Sequence, residues 1–182
     1  MSKAIGMVEY KTVSSGMTAA DNMVKTSDVE ILQASTVCPG KYIVLITGEL
    51  SAVRSSIDSA AKQYPDQLTD SFVLGNPHED IFKAIYGGAN IENVNALGIL
   101  ETFTAPSIIV AADSAAKAAE VQLIELRIAR GMCGKSYMLL TGTVSSVTAA
   151  IENAIKTVGD GGMLLDYSVI PNPDPSIWEN IL

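Results

Sequence analysis

The sequence is short of the residues on which most catalytic and metal chemistry depends. Its 182 residues include one histidine and two cysteines. A single imidazole removes most schemes that need His as a paired base. Cys38 and Cys133 lie far apart and in no C-x-x-C pair, which argues against a disulfide scaffold and suits a reducing compartment. Cations are also scarce. Twelve Lys and Arg against twenty Asp and Glu give a formal charge of -8, so a broad phosphate-binding surface is not expected and nucleic acid is not a partner. No apolar run approaches the roughly 18 residues that a membrane-spanning helix requires, and Met1-Ser2-Lys3-Ala4 does not open a secretory segment. The chain is expected to be soluble and intracellular, with no membrane partner. What is present is a foldable composition, 48% apolar and 18% charged, with enough length for one large domain or two of about 90 residues.

Self-comparison decides between those two. Ala4-Ile5-Gly6-Met7-Val8-Glu9 recurs as Ala96-Leu97-Gly98-Ile99-Leu100-Glu101, and the same offset of 92 pairs Ala19-Ala20-Asp21 with Ala111-Ala112-Asp113 and Lys25 with Lys117. Ten of the 31 positions from Ala4 to Ala34 are identical at that offset, against roughly one in fifteen expected from composition. The offset becomes 94 from Gly40-Lys41 and Gly134-Lys135 onward, then 96 where Asp70, Val73, Asn76-Pro77 and Ile81 meet Asp166, Val169, Asn172-Pro173 and Ile177. The chain is two tandem copies in the same internal order, residues 1–91 and 92–182, with a joint near Gly87 to Asn95. A fused duplication commonly preserves an ancestral subunit contact, and a symmetric ring satisfies it most simply, so self-association is expected.

Periodicity places the elements of each copy. Ile5 to Tyr10, Val29 to Thr36, Lys41 to Thr47 and a segment near Ser71 to Leu74 read as strands. Met17, Ala20, Met23 and Val24 fall on one face of a helix. Ser51 and Ser145 are expected N-caps of helices that turn Val53, Ile57, Ala60 and Ala61, and Val147, Ile151 and Ala154, inward. Asn76-Pro77-His78-Glu79 reads as a further helix start, with Asn as cap and Pro in the first turn. The expected fold class is α/β, each copy running βαββαβα.

Few residues then remain as carriers of chemistry. His78 reads as a capping or surface residue, and its repeat counterpart is Asp174. Gly40-Lys41 and Gly131-Met132-Cys133-Gly134-Lys135-Ser136 lack the spacing of a phosphate loop, and Gly159-Asp160-Gly161-Gly162 reads as a turn. Glu9 and Glu101 recur without an accompanying base or metal ligand, which disfavours an enzyme or a small-molecule sensor of duplicated α/β fold. Cys38 lies in Thr36-Val37-Cys38-Pro39-Gly40, where Pro and Gly tighten an inter-strand loop and leave the thiol projecting. Alone it is a free loop thiol; a threefold axis through the loop would gather three. Cys133 occupies the equivalent loop without aligning with Cys38 and reads as an unligated small hydrophobe.

The segments Ala4-Ile5-Gly6-Met7-Val8-Glu9, Ala20-Asp21-x-Met23-Val24-Lys25, Gly48-Glu49-Leu50-Ser51-Ala52-Val53 and Val169-Ile170-Pro171-Asn172-Pro173 together resemble the bacterial microcompartment (BMC) shell-protein domain. Both halves do so. The resemblance extends to the tandem-domain, iron-sulfur-binding shell proteins of propanediol-utilisation-type compartments, whose Cys-Pro-Gly loop lies at a threefold axis; Cys38-Pro39-Gly40 stands in that place. It implies a non-permuted tandem, mostly antiparallel sheets flanked by helices, and a homotrimer forming a pseudohexagonal tile in a cytoplasmic compartment shell. It implies a [4Fe-4S] cluster held by Cys38 from each of three chains, with Val37 to Gly40 as pore loop and Gly131, Met132, Cys133 and Gly134 as the second-domain loop. Its implied partners are other BMC shell proteins and encapsulated redox enzymes, and its implied role is electron transfer across the shell rather than catalysis. A cluster-free tile passing small metabolites is the alternative. Lys25 and Lys117 match the family's tile-edge lysines, with Asn76 and Asn172 in the edge turns. There the family usually places an arginine between two prolines, whereas this chain reads Gly75-Asn76-Pro77-His78 and Pro171-Asn172-Pro173-Asp174.

Overall fold

The computed structural model describes residues 4–91 and 94–182. The expected joint at 91 and 92 therefore touches Glu92 and Asn93, which lie outside the described residues, as do Met1, Ser2 and Lys3. The chain divides into two compact units.

The first unit holds β1 (Ala4–Tyr10), α1 (Val13–Thr26), β2 (Val29–Val37), β3 (Lys41–Gly48), α2 (Leu50–Gln63) and β4 (Leu68–Leu74). Its sheet has the order β2-β3-β1-β4, and every pairing is antiparallel. Every residue of the central strand β1 is buried. Gly6 is required there by close approach, because a Cβ would stand 2.8 Å from both Val53 and Ile57 on the crossing helix α2. Two segments from later in the sequence, Thr104–Ser107 and Ala129–Lys135, belong to this unit.

The second unit contains α3 (Asp80–Ile85), β5 (Ala96–Thr102), most of α4 (Ala105–Ala118), β6 (Val121–Arg127), β7 (Ser136–Gly142), α5 (Val144–Gly159), β8 (Leu164–Ile170) and α6 (Pro175–Ile181). Its sheet order, β6-β7-β5-β8, repeats the first, again antiparallel throughout. The duplication holds at the level of register. Ala4 faces Gly48 as Ala96 faces Gly142, and the bulge at Glu9/Tyr10 recurs at Glu101/Thr102. Both copies run βαββαβα, as the periodicity predicts. The change of offset from 92 to 94 is the longer connection between β6 and β7 than between β2 and β3.

Several local expectations are corrected. The buried face of α1 is Gly16, Ala19, Ala20 and Met23, whereas Met17 and Val24 are exposed. Gly16 lies flat on the Tyr42 ring, where a Cβ would come within 2.5 Å, so small residues set the contact face. Ser51 and Ser145 are not N-caps. They lie in the first turns of helices capped by Glu49 and Thr143, and the Thr143 hydroxyl accepts from the Ser146 N–H at 3.1 Å. Asn76 does not start a helix either. The His78 N–H donates to Asp113 Oδ1 at 2.8 Å, and α3 begins only at Asp80, whose N–H donates to His78 Nδ1 at 3.3 Å. His78 thus caps with its ring. In the second copy Asp174 does the same for α6, accepting the Ser176 N–H at 2.9 Å. β4 starts earlier than expected, at Leu68, and Gly159 to Gly162 form the expected turn, Gly162 with φ +69.

Candidate functional site

Cys38 sits where β2 has ended and β3 has not begun. The Cys38-Pro39 peptide is cis, Gly40 has φ +105 with open space where a Cβ would stand, and its N–H closes on the Val37 carbonyl at 3.0 Å. The thiol is free and half-buried. The loop of Ala129–Lys135 lies against it: the Cys38 N–H donates to the Ala129 carbonyl at 3.2 Å. That second loop takes left-handed backbone at Ala129, Gly131, Cys133 and Gly134. A Cβ on Gly134 would stand 3.0 Å from the Cys38 carbonyl oxygen, 3.2 Å from Lys41 Nζ and 3.3 Å from Pro39 Cδ, so only glycine lets the two loops meet. Cys133, read from the sequence as an unligated thiol, is a free and exposed cysteine with φ +52.

Beneath the loop is an ion pair that the sequence conceals. Glu9 is completely buried in β1, its Oε1 accepts from Lys41 Nζ at 2.6 Å, and its Oε2 accepts from the Ala105 N–H at 2.7 Å. Burial raises the Glu9 pKa, with the Lys41 ammonium and the Ala105 N–H opposing that rise. Asp70, opposite Glu9 in the β1–β4 register, accepts from the hydroxyls of Thr104 and Ser107. Two carboxylates thus meet the first turn of α4, where helix N–H groups favour negative charge. Lys41, adjoining the Cys38 loop, is committed to Glu9 rather than to a phosphate.

A cluster or metal must draw its ligands from side chains of the right type. Among the described residues no group of three or more His, Cys, Asp or Glu could hold a metal ion within one chain. Cys38 offers one thiolate at a loop tip, so the residues fit an iron-sulfur cluster only as one ligand per copy, gathered from several copies.

Residues 4–77 and again residues 96–173 match the family described as the BMC domain. The chain belongs to the BMC-domain family. It is 38% identical over 182 residues to the bacterial microcompartment shell protein PduT of Citrobacter freundii, covering all of this chain and 99% of that one. A microcompartments protein of Desulfitobacterium hafniense DCB, of known crystal structure, is similar at 41% identity and TM-score 0.86, over 98% of this chain and 99% of its own. The carboxysome assembly protein CcmO of Synechococcus elongatus is 25% identical over 98% of this chain and 68% of its length. This BMC protein is a tandem-domain shell protein, and its relatives place it in a microcompartment shell.

The expected edge residues of the BMC chain lie apart from the Cys38 loop. Lys25, at the end of α1, donates to Asp21 at 2.6 Å on an exposed surface, and Lys117, at the end of α4, donates to Asp113 at 2.6 Å. Asn76 and Asn172 are exposed, each followed by a buried proline. A cleft of about 390 Å³ in the second unit is lined in part by Glu125, Arg127 and Tyr137. There Glu125 accepts from the Tyr137 hydroxyl and from Arg127, both at 2.6 Å, and burial together with Glu125 pushes the phenol up to about 12. These three groups satisfy one another.

Sequence reasoning missed Lys41, Asp70, Thr104 and Ser107 as parts of the site. The available signal was Glu9 itself: an ionisable residue in an otherwise apolar central strand must find a cation or donors. Lys41 stands two positions from Ile43, the strand partner of Glu9, and hence on the same face of the sheet.

Proposed function

We propose that three copies of this shell protein form a pseudohexagonal tile in which Cys38 of each copy ligates one [4Fe-4S] cluster in a central pore, and that the tile conducts electrons across the shell. The observation that carries the reading is the Cys38 loop: a free thiol at a strand-to-strand tip, fixed by Pro39, Gly40 and the abutting Gly134. Bound there, the cluster would supply one-electron redox chemistry, with three irons on protein thiolates and one left to a non-protein ligand.

The chain's own residues do the positioning. Lys41, tied to Glu9, fixes the start of β3 and with it one end of the loop. The Ala129 carbonyl and the glycine at 134 support the other face. Lys25, Lys117, Asn76 and Asn172 serve contacts with neighbouring shell proteins, and redox enzymes inside the compartment are the electron partners.

Anaerobic purification or reconstitution with iron and sulfide, followed by iron analysis and electron paramagnetic resonance, tests the reading. Wild type is expected to hold about four irons per three chains, and Cys38→Ser to hold none while keeping the same mass in solution. A wild-type trimer that never retains iron would leave a cluster-free tile whose pore passes small metabolites.

A further inference from the structure

The cleft of about 390 Å³ in the second unit has two kinds of wall. One is apolar, made by Ile91, Ile124, Leu139 and Ile181. Ile124 packs behind it with Leu97 and Trp178, and the other three lie against that cluster. The second wall is the trio of Glu125, Arg127 and Tyr137. At about 30 Å³ per water the space holds about a dozen waters, which places it at the small end of ligand clefts. Among the described residues that line it, Arg127 and Glu125 carry the only charged side chains.

Arg127 is held from two sides. Its Nε and Nη2 donate to Glu125 Oε1 at 3.0 and 2.6 Å, and its guanidinium carbon lies 5.6 Å from the ring centroid of Tyr137, the residue opposite it in the β6–β7 register. The Tyr137 hydroxyl donates to Glu125 Oε2 at 2.6 Å, so both Glu125 oxygens are occupied. A guanidinium carries five N–H donors, and the two used here leave an edge made of Nη1 and one Nη2 hydrogen. The Arg127 and Glu125 side chains are 48% and 30% exposed, and an ion pair that open adds little stability. What it does is aim the free donors, and a donor fork fixed in advance loses less entropy when it binds.

The duplication supplies an internal control. The counterparts of Glu125, Arg127 and Tyr137 in the first copy are Gln33, Ser35 and Ile43. Gln33 donates to Ser35 Oγ at 3.0 Å, and Ile43 is completely buried. The first copy thus folds the same strand pair with no charge at these positions. The strand pairing therefore does not require the trio.

We propose that this cleft binds a short-chain carboxylate of about five to eight carbons, its two oxygens on the free Nη edge of Arg127 and its alkyl chain over Ile91, Ile124, Leu139 and Ile181. A carboxylate matches the planar fork of the guanidinium, which a single hydroxyl does not. The apolar wall favours an acid with a tail over an inorganic anion. Cys38 takes no part, so the site stands or falls apart from the cluster reading.

The test is titration of the full chain with hexanoate, followed by calorimetry and by the fluorescence of Trp178, the sole tryptophan, which packs on Ile124. Wild type should bind with a dissociation constant on the order of a millimolar and shift the emission to the blue. Acetate, which lacks the tail, and hexanol, which lacks the charge, should each bind at least tenfold more weakly. Arg127→Gln should lose at least tenfold in affinity, and Arg127→Lys should recover only part of it. Arg54→Gln, which removes an exposed arginine from α2 in the first unit, should bind as wild type does. Far-UV circular dichroism checks the fold of each variant, and the ligand series on wild type needs none of them. No saturable response of wild type at tens of millimolar hexanoate, or equal affinities for wild type and a folded Arg127→Gln, overturns the site. Hexanol or inorganic phosphate binding as tightly as hexanoate overturns the assignment of a tailed carboxylate.

Discussion

Lys41→Met gives the most searching test of how the Cys38 loop is held. The substitution keeps an unbranched apolar stem and deletes the ammonium that lies 2.6 Å from Glu9 Oε1. Glu9 has no exposed surface and would keep only the Ala105 N–H. Removing one partner of a fully buried pair costs roughly 3–5 kcal/mol. Lys41 retains 20% side-chain exposure, so the original attraction is partly screened, and we expect a loss of about 2–3 kcal/mol at pH 7.5. The pH dependence fixes the cause. Because burial raises the folded pKa of Glu9 above its unfolded value, its contribution favours folding at low pH and declines as pH rises through the folded pKa. Without Lys41 that folded pKa rises further, so the penalty should be large at pH 7.5 and small at pH 5. Glu9→Gln combined with Lys41→Met removes both charges and keeps an acceptor for Ala105, and should lie within about 1 kcal/mol of wild type. Urea unfolding followed by far-UV circular dichroism, at one fixed chain concentration because association couples to stability, reads all three. A Lys41→Met penalty that is equal at both pH values, or a double variant less stable than the single, would refute the buried-pair account.

Other substitutions test neighbouring parts of the site. Gly134→Ala places a Cβ 3.0 Å from the Cys38 carbonyl at φ +86, and should cost about 1–3 kcal/mol and speed labelling of Cys38 by a thiol reagent in a Cys133→Ser background. Cys133→Ser alone should leave iron content unchanged, measured after anaerobic reconstitution. Asp174→Ala removes the cap of α6 and should red-shift the fluorescence of Trp178, the sole tryptophan, which that helix carries. The Asp174 pKa is lowered by its hydrogen bonds to Ser176, so its stabilising contribution is present above the unfolded carboxylate pKa. It is lost as pH falls through the folded value, and wild type should then show the same red shift in acid.

The fold was legible where the chain repeats itself. The strand at Lys41 to Thr47 is dense in β-branched residues, the strand at Ile5 to Tyr10 recurs as the one from Ala96, and the second copies confirm the order of elements. Helix faces were harder to read, because the contact surface of α1 is Gly16 and Ala19 rather than Met17 and Val24. Apolar periodicity weights large residues, whereas close approach to Tyr42 selects small ones. Cap positions failed for a related reason. Ser51 and Asn76 suit helix starts, but α2 begins at Leu50, and the Asp113 bond to His78 delays α3. Cys38 stood out by its Pro-Gly flank, yet the Glu9–Lys41 pair beneath it is separated by 32 positions and appears only once the strands are in register.

Native mass spectrometry of protein prepared without oxygen addresses the threefold iron site in a single spectrum. The account predicts a species of three chains carrying one four-iron, four-sulfide unit, and three bare chains for Cys38→Ser. Three bare chains from wild type after reconstitution, or iron bound to a single chain, would contradict it.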